Sequence, residues 1–180
     1  MEIVKKTASV NLEESFKQIA VKMTWSTKTD FDLAALYEMK DGEKGMVYFS
    51  EKGELNKRPF MQLSEDKGVG DTVAAGGRNE ETMAITSIEE TAKIHICVWD
   101  WGSVEKGEKA RFEGSDVQVE LKDDKGNSHI VKLDTGEIGN IVFIATIDNS
   151  GIIPKLTNTS KAGLLKNFTD SSQLWDILNA

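Results

Sequence analysis

Residues 18–37 read QIAVKMTWSTKTDFDLAALY, and their spacing decides the fold class. Ile19, Val21, Met23 and Trp25 recur at every second position, with Lys22 and Thr24 between them. That is the period of a half-buried β-strand, because successive side chains of a strand point to opposite faces. Ser26 to Thr29 is polar and reads as a turn. A second strand then puts Asp30 and Asp32 on one face and Phe31, Leu33, Ala35 and Tyr37 on the other. Two strands joined by a short polar turn predict a hairpin. Two carboxylates side by side on one face repel, and a divalent cation removes the conflict. A strand with one solvated edge and two surface acids fits the same spacing, since exposed acids are common.

Working outward, alternation recurs along the chain. Residues 92–101, AKIHICVWDW, form its strongest strand signal. Ile94, Ile96 and Val98 share one face, and His95, Cys97, Trp99 and Trp101 the other, so a central strand is predicted. His95 reads as a core or interface histidine there. Val117, Val119 and Leu121, the turn at residues 123–127 and the return through residues 129–133 predict a hairpin, with His129 exposed. Residues 141–147 read as a buried strand, and 2–12, 46–49, 60–63 and 82–88 as shorter ones. Residues 102–114 read as a charged loop and 151–158 as a connection. From Ser160 the period changes: Leu164, Leu165, Phe168, Leu174, Trp175 and Leu178 recur at helical spacing, with Ser171 and Ser172 as caps of a short helix. Many short strands and one terminal helical stretch predict an all-β chain, an antiparallel β-sandwich with a short C-terminal helical segment. Residues 1–180 are expected to form one domain, with 162–180 as the helical segment packing on it.

Residues 64–81, SEDKGVGDTVAAGGRNEE, break this rhythm. A loop of that length inside a domain is uncommon and is usually functional or disordered. Its glycines permit tight bends, and Glu65, Asp66, Asp71, Asn79, Glu80 and Glu81 supply oxygens. Oxygen donors on a bending backbone suit Ca²⁺, which takes six to eight oxygen ligands. A flexible solvated loop has the same composition. The spacing of an EF-hand is absent.

Composition narrows the function classes. The chain has 180 residues, 39% of them hydrophobic and 29% charged, with a net charge of −8. That sign disfavours a nucleic-acid partner, which requires a Lys/Arg surplus, and is compatible with a cation. Cys97 is the single cysteine and reads as a buried thiol in a reducing compartment. No apolar run reaches the length of a membrane span. The first residues have no continuous apolar core, so a cytoplasmic location is expected. The motifs of serine hydrolases, phosphate-binding loops and dinucleotide sites are absent. A hydrolase using the acid cluster is the weaker enzymatic alternative.

The order of motifs resembles the TerD-like tellurium-resistance and stress-response family, and within it the TerA-like branch, over roughly residues 9–168. The motifs are the strand ending at Trp25, then Asp30-Phe31-Asp32-Leu33, Tyr37 to Gly42, Leu55 to Leu63, Asn79-Glu80-Glu81, and Trp99-Asp100-Trp101 with Phe112 and Asp116 beyond. The resemblance implies a β-sandwich without enzymatic activity and one or two Ca²⁺ sites. Its implied ligands are Asp30 and Asp32 on the strand, and Asp66, Asp71, Asn79, Glu80 and Glu81 from the loop. Implied partners are other stress-response proteins, in assemblies near the membrane. The family's loop is more acidic than this one, which carries Lys67 and Arg78 among its acids. A metal-free protein–protein interaction module of the same fold is the alternative, with Trp99, Trp101 or the stripe of Leu164, Leu165, Phe168 and Trp175 as anchors.

Overall fold

The computed structural model describes residues 1–12, 18–27, 29–64, 79–112 and 115–180. In chain order they form β1 (Glu2–Ile3), β2 (Ser9–Asn11), β3 (Ile19–Trp25), β4 (Phe31–Met39), β5 (Lys44–Val47), β6 (Gly53–Glu54), β7 (Met61–Leu63), β8 (Asn79–Ile85) and β9 (Thr91–Asp100). There follow α1 (Trp101–Lys106), β10 (Ala110–Arg111), β11 (Gln118–Asp123), β12 (Ser128–Lys132), β13 (Ile138–Gly139), β14 (Ile141–Asp148), β15 (Lys155–Gly163) and α2 (Ser172–Asn179). Sheet A has the order β1-β12-β11-β3-β8-β7-β6, and sheet B the order β2-β15-β14-β9-β4-β5. The fold is a β-sandwich with a short C-terminal helix. No helix of the described residues is long and apolar enough to cross a membrane.

Both faces of sheet B are covered, which explains why β9 is apolar all round. Ile94, Ile96 and Val98 join Leu33 and Ala35 of β4 in the core between the sheets. Cys97 and Trp99 join Ala34, Leu36, Phe143, Leu165 and Leu174 in a second cluster on the outer face. Asp100 ends β9 by capping α1, its carboxylate accepting from the Ser103 amide at 3.3 Å and from Ser103 Oγ at 2.9 Å.

Five expectations need correction. The predicted hairpin of β3 and β4 does not form. β3 pairs with β8 and β11 in sheet A, whereas β4 pairs with β9 and β5 in sheet B. Each strand buries its apolar row by crossing to the other sheet, so the connection is an arch. The charged loop after β9 contains α1. The long loop gives up its last three residues to β8, so Asn79, Glu80 and Glu81 are strand residues. His129 is half-buried.

The fifth correction concerns the C-terminus. Residues 155–163 are the strand β15, so the stretch read as a connection and the beginning of the helical segment belong to sheet B. Of 162–180, only Ser172–Asn179 is helical. The inward positions of β15 include Asn158 and Ser160, both 0% exposed, so no apolar alternation marks it. Asn158 Nδ2 donates to the carbonyls of Ile3 at 2.9 Å and Lys132 at 2.7 Å, closing the seam between β15 and sheet A. Asn140 holds the segment after β15 out of a helix. It donates to Leu165 O at 2.7 Å and to Glu108 O at 3.1 Å, and accepts from Leu165 N at 2.7 Å. At the start of α2 the Ser171 side chain makes no capping bond, and Asp170 accepts from the Ser172 amide at 2.8 Å. At its end Lys161 Nζ donates to Leu178 O at 3.1 Å, which suits the negative end of a helix dipole.

Candidate metal centre

The arch between β3 and β4 lies over an aromatic floor. Phe31 stacks on Phe112 with ring centroids 5.7 Å apart and meets Trp25 edge-on at 5.9 Å. Trp25 Nε1 donates to Thr29 O at 2.8 Å, and Asn79 Nδ2 donates to Thr27 O at 3.2 Å. Asp116 accepts from the Ser26 amide at 2.9 Å and from Ser26 Oγ. The arch is therefore tied to three separate parts of sheet A and its flanks: the end of β3, the start of β8 and the approach to β11.

At this end of the sandwich sheet B has an open edge. β5 pairs with residues 35–38 of β4, so among the described residues the first residues of β4 have a strand neighbour on the β9 side alone. The side chain of Glu81 fills part of the gap from the opposite sheet. Its Oε2 accepts from the Leu33 amide at 2.7 Å, where a strand carbonyl would otherwise stand. A charged acceptor makes that bond stronger than a neutral one. Asp32, beside Leu33 in sequence and directly opposite Trp99 on β9, is 6% exposed; Glu81 is 5% and Asn79 7%. Buried carboxylates are costly unless they are paired, hydrogen-bonded or bound to a cation.

The candidate ligands separate as follows. Asp30, at the end of the arch, is half-buried, and Asp32 lies on the first turn of β4 into sheet B. Asn79 and Glu81 lie on the inward face of β8, with Asn79 beside Trp25 and Glu81 beside Met23 in the register. Glu80 is exposed on the opposite face of β8, because neighbours on a strand diverge. Asp66 and Asp71 lie outside the described residues. Among the described residues no three His, Cys, Asp or Glu side chains are already grouped as a metal site. The candidate donors at this end are oxygens, the chemistry of Ca²⁺ or Mg²⁺ rather than of Zn²⁺.

Sequence reading missed two parts of this end. One is the contact of Asp116, a motif residue of the resemblance, with Ser26 in the arch, 90 residues away. The other is the Glu81–Leu33 bond. Neither has a local signal, since both are contacts between segments far apart in the chain.

The histidine and cysteine of β9 are in the covered layer. His95 is 7% exposed, and its Nδ1 lies 2.9 Å from Thr146 Oγ1. Burial pushes its pKa down to about 4, with Lys93 adding to the effect and Asp148 opposing it. Cys97 is fully buried, and burial pushes its thiol up. Trp99 is 0% exposed and meets Trp101, Tyr48, Phe49 and Phe168 in one aromatic cluster.

In comparisons with known proteins, no family model and no curated protein matches the chain. It is similar to a solved structure described as "Crystal structure of unknown function protein SAV2460", with 14% identity. The match covers 82% of this chain and 92% of that one, with a TM-score of 0.52. At that identity the likeness shows the fold alone.

Proposed function

We propose that this chain is a non-enzymatic TerD-like protein that binds Ca²⁺ at the open edge of β4 and serves as a cation-ordered interaction module in a stress response. One observation supports the reading: Asp32 is a buried carboxylate of sheet B, and Glu81, a buried carboxylate of sheet A, accepts from the amide of the next residue, Leu33. Asp30 and Asn79 border the same arch, and β8 begins here at Asn79; Asp66 and Asp71 lie outside the described residues. Bound Ca²⁺ would supply fixed positive charge that holds carboxylates of both sheets and the loop together. In this reading Asp32 and Glu81 orient the cation from the sheets, Asn79 steadies the arch, and the loop completes the oxygen shell. In this reading the partners are other stress-response proteins in the cytoplasm.

The metal-free module of the same fold has less support where its proposed anchors are buried, while Trp101 and Leu164 are half-buried. Trp99 is 0% exposed and Leu165 2%, and Phe168 and Trp175 pack against the outer cluster of sheet B.

Calorimetric titration of the chelator-stripped chain with Ca²⁺ tests the proposal. Saturable heat with a raised thermal midpoint is expected, since a ligand that binds only the folded state stabilises it by mass action. Absence of heat with an unchanged midpoint overturns the metal reading.

A further inference from the structure

The outer face of sheet B carries a second feature, remote from the arch. Where the cover of α2 ends, a groove of about 320 Å³ opens over β9, β14 and β15. Its floor consists of two cross-strand rows fixed by the register. One row is His95–Thr146–Thr157 and the next is Lys93–Asp148–Lys155. Thr159 adds a further hydroxyl, its Oγ1 2.7 Å from that of Thr146. Thr146 thus links His95 to Thr159 in a continuous hydrogen-bonded chain ending at the groove.

Three properties mark this as a built surface. First, its charge is opposite to that of the molecule: two ammonium groups flank one carboxylate on a chain whose net charge is −8. The Asp148 carboxylate accepts through Oδ1 from the Ser150 amide at 3.0 Å and from Ser150 Oγ at 2.5 Å, and it attracts Lys93 and Lys155 on either side. Second, His95 stays neutral because it is buried edge-on against Trp175, with ring centroids 5.6 Å apart, so the hydroxyl row can donate or accept. Third, Thr7 closes one side of the groove at φ 69°, a left-handed conformation that is rare for a β-branched residue. Strained residues of this kind concentrate at ligand sites.

From these rows we infer that the groove binds a small phosphate monoester, its phosphate against Lys93 and Lys155 and its hydroxylated body along Thr146, Thr157 and Thr159. The ammonium groups supply the charge that a phosphate requires, and the threonine hydroxyls offer paired donors and acceptors to a polyol. The volume lies at the low end of small-molecule pockets and suits a ligand the size of a sugar phosphate. The site is independent of the cation proposal: His95 and Trp99 are separated by four residues of β9, roughly 13 Å at strand rise.

The test is an amide-resolved NMR titration of the full chain with ribose 5-phosphate, with ribose in parallel. Saturable shifts are expected at Lys93, His95, Thr146, Thr157 and Thr159 with ribose 5-phosphate and none with ribose. Replacing both lysines (Lys93→Met with Lys155→Met) is expected to weaken binding about tenfold or more, as loss of charged hydrogen bonds does. Lys155 is exposed and Lys93 half-buried, and the thermal midpoint of the double variant confirms that it is folded. Absence of saturable shifts up to ~10 mM, a range that would still register weak binding, overturns the inference. So does equal affinity for ribose, or an affinity unchanged in the folded double variant.

Discussion

Glu81 on sheet A accepts a hydrogen bond from the backbone amide of Leu33 on sheet B at 2.7 Å. Among the described residues the top of β4 has no strand neighbour on this side, and the bond comes from the opposite layer of the sandwich. Glu81→Ala leaves a buried amide without its acceptor, which costs about 1–3 kcal/mol. Glu81→Gln keeps a carbonyl acceptor and is expected to lose less. Urea midpoints of the three proteins, measured without Ca²⁺, check the order wild type, Gln, Ala.

The divergence of Glu80 and Glu81 separates a metal role from general acidity. Glu80 points away from the arch and Glu81 toward it. Asp32→Asn and Glu81→Gln are expected to weaken Ca²⁺ binding by about tenfold or more, near the loss of one charged ligand contact. Glu80→Gln, which removes the same formal charge one residue away, is expected to leave the affinity within about twofold, since exposed charges are screened. Equal losses at positions 80 and 81, read by calorimetry, would refute the assignment of faces to roles.

His95 makes stability depend on pH. Its folded-state pKa is depressed to about 4 from an ordinary 6.5, so the unfolded chain takes up the proton first as pH falls. Its contribution is complete above pH 6.5 and is lost progressively toward pH 4. The full difference is about 3 kcal/mol, with most carboxylates still ionised over the upper part of that window. Denaturant midpoints at pH 7, 6 and 5 are expected to fall for the wild type and to stay flatter for His95→Gln.

Asn140 ties three backbone groups at once, two of them on Leu165. Asn140→Ala leaves buried partners unpaired and is expected to destabilise the fold by about 2–4 kcal/mol, the sum of more than one lost bond. The loss should be accompanied by earlier hydrogen exchange in α2 than in β9, because the tail between β15 and α2 is the part released. Simultaneous exchange of both elements would show that the asparagine does not act on the tail.

Local pattern alone carried the layered β architecture. The rows Ile19–Trp25 and Ile94–Val98 each name a buried face, because side-chain direction in a strand follows from position parity. The two-sided apolarity of β9 foretold a central strand, and the late leucines foretold a helical segment packing on the sheets. Parity also placed Asp32 on the face opposite Leu33, before any fold was known.

Tertiary structure decided what parity leaves open. A turn of a few residues can close a hairpin or arch between layers, and only the burial of both apolar rows selects the arch from β3 to β4. β15 escaped notice because Asn158 and Ser160 face inward and are satisfied by carbonyl and amide groups of other strands, so polarity there reports partners rather than exposure. The paired acids at 30 and 32 were visible at once. The reach of Glu81 across to Leu33 was not, since a contact 48 residues apart in the chain exists only when the two sheets face each other.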